Sequence, residues 1–376
     1  MWSPQRYIEH GLTEGYDAEL VRSAAGQIDD FLEKHPDLPP ILTLGHLGKR
    51  TSLPYARLRK LVSGLRSNDY SYFRIRKRSG GHRQISVPEA DLMWLQRWVS
   101  AHILSKLKPH RASYAFAPKA SIVSCAKAHC EARWLIKLDI SGFFGSVSEI
   151  QVYRVFLAAG YAPMVAFQLA RLTTHAPYFS MRYKRPEWRA VPDRARLPYL
   201  FRTRLLGFLP QGAPSSPMLS NLVMRQIDAK LHAIALSAGL TYTRYSDDIT
   251  FSTRGGFDRE RARAVVSKTR RILAKEGFTL NSKKTRIVPP GGRKLVLGLL
   301  VDGSEPNLTR AFKDSLRQHL HYVCTFGPDA HAKRRGFDTV SSLYRHLLGL
   351  INYAKSVDED YALRARTKLN SVQWSL

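Results

Sequence analysis

Apolar residues recur every three to four positions through GYDAELVRSAAGQIDDFLEK (15–34), a spacing that predicts a helix. The first fifty residues read as a helical, partly acidic lead-in that the proline-bearing HPDLPP stops. SLPYARLRKLVSGL (52–65) repeats the helical period, whereas YFRIRKRSGGHRQISVP (72–88) reads as two strands about a Gly80-Gly81 turn crowded with basic residues. Helices are expected over DLMWLQRWVSAHILSKL and around Ser121–Cys130, then a strand, RWLIKLDI, whose apolar residues lead into Asp139. Beyond a helical stretch at 149–172, residues 175–206 lose all period and are rich in Pro and Arg, the pattern of an inserted basic loop. LPQGAPSSPMLSN (209–221) precedes a helix to about Ala238. TYTRY and ITFS flank the turn SDD as a hairpin, and DRERARAVVSKTRRILAKEG returns to the helical period. FTLN and KLVLGLLVD are expected to pair as strands, and helices dominate from Asn307. The mixture predicts an α+β fold.

Charge changes the picture. The 376 residues carry 59 Lys+Arg against 30 Asp+Glu, a formal charge of +29 spread along the chain, which points to a polyanionic partner and foremost to nucleic acid. With no 18-residue apolar run and no compact basic amphipathic anchor, membrane association is not expected. Three cysteines and an opening MWSPQRYIEH that lacks a signal-peptide pattern predict a reduced, cytoplasmic protein. Cys125, His129 and Cys130 could suggest zinc, but they lack CxxC spacing and an evident fourth ligand, so buried thiols are the expectation.

In so basic a chain the acidic pair Asp247-Asp248 at a strand tip needs a reason. Asp29-Asp30 shows the bland alternative, an ordinary solvated helix surface. Asp139 also ends an apolar strand, and carboxylates from two strand ends converging on one sheet edge would repel each other without a cation. Hard divalent ions favour carboxylate oxygens together with substrate phosphates, and paired metals stabilise the attacking and leaving oxygens of phosphoryl transfer.

These residues carry a resemblance. KLDISGFF (137–144), LPQGAPSSPMLSN (209–221) and YSDD (245–248) resemble, in order, three catalytic motifs of the bacterial retron-type reverse transcriptases. The resemblance implies a right-hand polymerase: fingers and palm over 53–301, with an antiparallel sheet bearing the acidic triad and the insert at about 175–206, a helical thumb over 302–376, and a helical extension at 1–52. It implies that Asp139, Asp247 and Asp248 bind two Mg²⁺ (Mn²⁺ as substitute) that align a primer hydroxyl with an incoming dNTP. It also implies that Phe144 lies under the sugar and excludes a ribose 2′-hydroxyl, while Phe143 is a core residue. Gln211 becomes a nucleotide-pocket residue, beside a Gly that lets the backbone approach nucleotide and template. Lys77 and Arg83 clasp the triphosphate, and Lys284, within LNSKKTRI, donates a proton to the pyrophosphate. Tyr245 contacts nucleic acid. In the helix after Asn307, Phe312, Leu316, Leu320 and Val323 share one stripe and Arg310, Lys313 and Arg317 another, so one face can pack while the other meets phosphates.

The family pattern implies copying of a cognate noncoding RNA into single-stranded DNA, as a 2′-5′ branched RNA-DNA hybrid, in antiphage defence with an effector protein and with a host RNase H to remove template. The chain departs from it at Cys125, where the family has Asn before Ala-x-x-His, and at Leu297, where it has Thr between Val and Gly. Ser246 stands where Ala is usual. The alternative function is a non-catalytic RNA-binding scaffold of polymerase fold that regulates an effector.

Overall fold

The structure, a computed structural model, describes residues 2–63, 69–76, 80–118, 120–175 and 206–374. It combines helices with small antiparallel sheets, as the patterning requires. The strands are β1 (Tyr70–Arg76), β2 (His82–Pro88), β3 (Trp134–Asp139), β4 (Thr241–Tyr245), β5 (Asp248–Thr253), β6 (Arg286–Val288), β7 (Leu295–Val296), β8 (Leu299–Leu300) and β9 (Asn307–Leu308). Residues 77–79, and 176–205 of the basic insert, lie outside the described residues, and so does the expectation of a loop there.

The chain divides into two compact units. The first comprises 1–117, 139–231 and 268–281. Its N-terminal part is helical as expected: the helix Ala18–Lys34 buries Val21, Ala25 and Ile28, starts on an Asp17 side-chain cap, and leaves Asp29 and Asp30 exposed on its surface. β1 and β2 form a ribbon with Tyr70 opposite Pro88 and Arg76 opposite His82, closed by Gly80 and Gly81, both at positive φ. The buried face of the helix Ala90–His102 includes Leu92, Leu95 and Val99, and also Gln96, which is satisfied by Tyr70, the Leu172 carbonyl and Ser215.

A buried carboxylate organises the edges of the insert. Glu149, fully buried, accepts from Arg171 Nη1 at 2.9 Å, from the Gly207 amide at 2.8 Å and from Thr174 Oγ1 at 3.3 Å. Thr174 precedes the insert and Gly207 follows it, and the backbones of His175 and Phe208 pair with each other, so the two ends of the segment meet. A side chain at Gly207 would bring a Cβ within 2.6 Å of both Glu149 Oε2 and Thr174 Oγ1.

The second unit comprises 118–138, 232–267 and 282–376. At its centre is a four-stranded sheet in the order β4-β5-β3-β6, with β4-β5 and β3-β6 antiparallel. The strand beside β3 is Arg286–Val288, and FTLN does not pair with KLVLGLLVD as expected: within that tetrapeptide only Leu280 makes a bridge, to Ile140. KLVLGLLVD is likewise no single strand. It folds on itself at Leu297 and Gly298, with φ of 50° and 87°, the two positive values of a tight hairpin turn, and β7-β8-β9 follow as a separate small sheet. The C-terminal part is helical, with Leu316, Leu320 and Val323 buried along Arg310–Phe326 and Leu343, Leu347 and Ile351 along Val340–Lys355.

Removing Glu149 would leave the Arg171 guanidinium in a buried position without its carboxylate. Glu149→Ala is expected to destabilise the fold by about 3–5 kcal/mol, read as a fall in the urea midpoint; a midpoint equal to wild type would show that the pair does not hold this region.

Candidate functional site

The hairpin β4-β5 is built from β-branched and aromatic residues on both arms, and Tyr245 pairs with Asp248 across a two-residue turn of Ser246 and Asp247. Ser246 takes φ +57°, a left-handed conformation that disfavours bulky side chains and that a small residue tolerates. Its carbonyl is held by Arg244, whose Nη1 donates at 3.0 Å. Arg244 is fully buried, and sequence reasoning missed it because a charged strand residue is normally taken as solvated. The available signal was parity, since Arg244 shares a strand face with the core residue Tyr242.

A second clamp holds the hairpin from its side. His129, 1% exposed, hydrogen-bonds through Nδ1 to Ser252 on β5 at 2.6 Å and through Nε2 to Thr243 on β4 at 2.7 Å. Cys125 Sγ donates to the same Thr243 hydroxyl at 3.4 Å, so the cysteine that replaces the family's Asn still reaches β4. Burial pushes the Cys125 thiol up to about 11, with the nearby Asp248 charge adding to the shift and the Thr243 bond opposing it. Cys125 and Cys130 are free and buried, in keeping with the expectation of packed thiols.

β3 lies next to β5. At its start the Arg133 amide donates to the Thr253 carbonyl at the end of β5, so the strands run antiparallel. Six residues along, β3 ends on Asp139 at the end of the sheet where β5 begins with Asp248. Asp139 is 6% exposed, and its carbonyl accepts from the Asn281 amide at 2.8 Å; Asp247 and Asp248 are half-buried. Among the described residues no three His, Cys, Asp or Glu side chains gather closely enough to hold a metal by themselves.

Around Asp139 in its own unit, the bridge Ile140–Leu280 and the Ser141 amide bond to Thr279 lead into a short helix, Phe143–Ser146, entered through Gly142 at φ +56°. Phe143 is 4% exposed and stacks near Phe278; Phe144 is half-buried, its ring centroid 5.6 Å from Phe143 and 6.4 Å from Phe116. Gln211 is half-buried and its carbonyl accepts from the Ser86 amide of β2 at 2.7 Å. The neighbouring glycine has a packing reason within the fold. At Gly212, φ +119°, a Cβ would come within 2.7 Å of Ile85 Cγ2 and 2.9 Å of the Ser86 carbonyl, so the missing side chain admits strand β2.

Arg83 is exposed on β2 opposite Ile75, and Lys77 lies outside the described residues. Lys284 is exposed in the turn before β6, and Tyr245 is half-buried at the end of β4. The basic row of Arg310–Phe326 is not uniformly open. Arg310 and Arg317 are exposed and flank Asp314 at 3.5 and 3.2 Å, but Lys313 is half-buried, paired with Asp358 at 2.9 Å and set over the Tyr361 ring. That ion pair ties Arg310–Phe326 to Glu359–Asn370, and Asp358 is held below the usual carboxylate range by the Tyr361 amide first and by Lys313 second. Lys313 therefore acts as a packing cation, in contrast with its expected place on an open row.

A family model described as reverse transcriptase (RNA-dependent DNA polymerase) matches residues 75–299. The chain is 34% identical to the Retron Mx65 reverse transcriptase of Myxococcus xanthus over 299 residues, 80% of this chain and 64% of that one. It is 27% identical to the Retron Ec86 reverse transcriptase of Escherichia coli over 354 residues, 93% of this chain and 95% of that one. It thus spans just under two thirds of the first relative and nearly all of the second. No described helix is long and apolar enough to cross a membrane.

Burial lowers His129 from its ordinary 6.5 to about 3, so the folded protein keeps it neutral where the unfolded chain would take up a proton. Stability must then fall as pH drops from about 6.5 towards 3, by at most about 1.4 kcal/mol per pH unit for this group. In His129→Gln, urea unfolding between pH 6 and pH 4 should show a slope shallower than wild type by about that amount; identical slopes would mean that His129 is not the neutral clamp of the hairpin.

Proposed function

The chain belongs to the reverse transcriptases of the bacterial retron type, and from that premise we propose that it is an RNA-directed DNA polymerase working by two-metal nucleotidyl transfer. The observation that carries the reading is the antiparallel register of β3 along β5, with Asp139 and the Asp247-Asp248 turn at the same end of the sheet.

The donor set suits Mg²⁺. All three groups are hard carboxylate oxygens, and one of them, on Asp139, is buried in a strongly basic chain. Such an ion is commonly held by one or two carboxylates and completed by substrate phosphates and water. Asp139 and Asp247 would hold the ions directly, with Asp248 completing the charge. When bound, two such cations offset negative charge on the attacking 3′-oxygen and on the departing pyrophosphate. The oxygen–phosphorus bond to the α-phosphate forms as the bond to pyrophosphate breaks.

The chain's own residues supply the rest. Phe144, braced by Phe143 and Phe116, presents a half-buried ring that would crowd a 2′-hydroxyl and favour dNTPs. Gln211 is fixed to β2 through its carbonyl, which leaves its side chain for the nucleotide. Arg83, with Lys77, would meet the triphosphate as fixed positive charge, and Lys284 would protonate the leaving group. Arg244 and His129 act through the hairpin: they hold the turn that carries the acids.

The template we propose is a cognate structured noncoding RNA, copied into single-stranded DNA as a 2′-5′ branched hybrid, in the bacterial cytoplasm, with a host RNase H clearing template and an effector protein coupled for antiphage defence. The charge of +29 and the retron relatives support this reading.

Asp247→Asn and Asp248→Asn should each lower dNTP incorporation on a primed RNA template by roughly a thousandfold, about 4 kcal/mol of transition-state stabilisation, with RNA binding retained. Full extension by both variants would overturn the assignment of these carboxylates to metal-assisted transfer. Phe144→Ala should raise ribonucleotide use relative to dNTPs by about tenfold in the same assay, equivalent to about 1.4 kcal/mol; unchanged selectivity would remove the phenylalanine from that role.

A further inference from the structure

The helix Arg259–Lys275 takes no part in the chemistry above, yet it is the most basic element described. It carries seven cations and, within its span, Glu260 as its only acid. At about 100° per residue, its buried residues, Ala262, Val265, Val266, Thr269 and Leu273, fall on one arc and account for its packing. The exposed arc has an internal order. Arg259, Arg263 and Arg270 run along one flank, and Arg261, Lys268 and Lys275 run along the other, about 160° around the axis; all six are exposed. Arg261 also lies over the Phe257 ring at 4.9 Å, which fixes one end of its row. Between the flanks lie the small side chains Ala264, Ser267 and Ala274, with Glu260 in the first turn and Arg271 nearer the other end close to the midline.

Two basic ridges, with a low stretch at Ala264 and Ser267 between them, match two phosphate strands separated by a shallow floor. We propose that this helix is a docking surface for double-stranded RNA, laid along the minor groove, with each ridge on the phosphates of one strand and the Ser267 hydroxyl facing the groove floor. A-form RNA presents a wide, shallow minor groove lined by 2′-hydroxyls, while its major groove is too deep and narrow for a helix. Single-stranded nucleic acid is a poorer fit, because it binds on stacked aromatic platforms and no aromatic residue lies between the ridges. A membrane surface is poorer still, since the exposed arc holds no large apolar side chain to bury among acyl chains. The ridges span about 24 Å along the axis, enough to engage several successive phosphates. The inference takes from the polymerase reading only the choice of RNA as the polyanion; it places on a non-catalytic helix a contact to the folded part of an RNA, one that would keep the enzyme on its template's structured region.

The probe is an RNA dumbbell with a stem of about 20 bp, whose closed loops offer no terminus to a polymerase cleft. Binding is followed by fluorescence anisotropy between about 50 and 200 mM salt, for the full chain and for two triple variants, Arg259→Gln/Arg263→Gln/Arg270→Gln and Arg261→Gln/Lys268→Gln/Lys275→Gln. Each should lower the slope of log K against log salt by about 2–3 and weaken dumbbell binding at least about tenfold at the upper salt. Ser267→Glu, which puts a carboxylate on the trough floor and leaves both ridges intact, should weaken the dumbbell as well. Binding of an unstructured RNA of equal length and extension of a short annealed primer–template should stay at wild-type levels. An unchanged dumbbell slope would overturn the proposal. Equal losses for dumbbell, single strand and DNA duplex would also overturn it, by showing a diffuse field and not a groove contact. So would a loss confined to phosphatidylserine vesicles. Because dumbbell binding is read without nucleotide incorporation, a chain that fails to polymerise would still report on this surface.

Discussion

The register of β3 against β5 is the constraint on which the rest depends. Side chains alternate along a strand, so a slip of one residue would turn Asp139 to the opposite face and away from the end where Asp247 and Asp248 sit. The Arg133–Thr253 bond sets that register where β3 begins, and on its other edge β3 is held by β6, with Leu135 opposite Val288 and Lys137 opposite Arg286. The turn beyond is then held by two buried polar residues, the Arg244 guanidinium at its base and the His129 imidazole across its arms. Neutral His129 suits this role, since a charged ring at the same place would need solvation that the core withholds.

Placing carboxylates together has a cost that explains other features. In the proposed site, like charges at one sheet end would repel and burial of Asp139 would add to the penalty, which divalent cations and substrate phosphates would offset. The positive charge spread over the chain would attract such polyanionic substrates. Its distribution is uneven in kind: Lys313 is consumed by an ion pair between helices, whereas the helix Arg259–Lys275 keeps its cations on the surface in two ordered rows.

Much of this was legible in the sequence, for physical reasons that differ by element. The hairpin could be read because β-branched and aromatic residues fill both arms and a two-residue turn separates them, and the helices because their apolar spacing repeats over three or more turns. β7 and β8 could not be read: strands of two residues have no period, and the turn at Leu297-Gly298 was hidden inside an unbroken apolar run. The strand Arg286–Val288 beside β3 was not seen for a similar reason, since three residues are too few to announce a strand next to the more apolar FTLN. Gly212 could be read as a point of close approach, but that strand β2 is what packs there could not, because sequence shows that room is needed but not for whom. Arg244 and Glu149 were missed altogether, as buried charges that find their partners only in the folded chain leave little local signature.

The claim that Asp139 shares divalent cations with the hairpin acids is tested most directly by counting ions. Mn²⁺ is titrated into the full chain bound to an RNA template, a 3′-deoxy primer and the matching dNTP, and followed by electron paramagnetic resonance. The account predicts about two tightly held ions per chain, with Asp139→Asn weakening at least one of them by tenfold or more, roughly 1.4 kcal/mol. Mn²⁺ binding that is the same with and without the Asp139 carboxylate would contradict it.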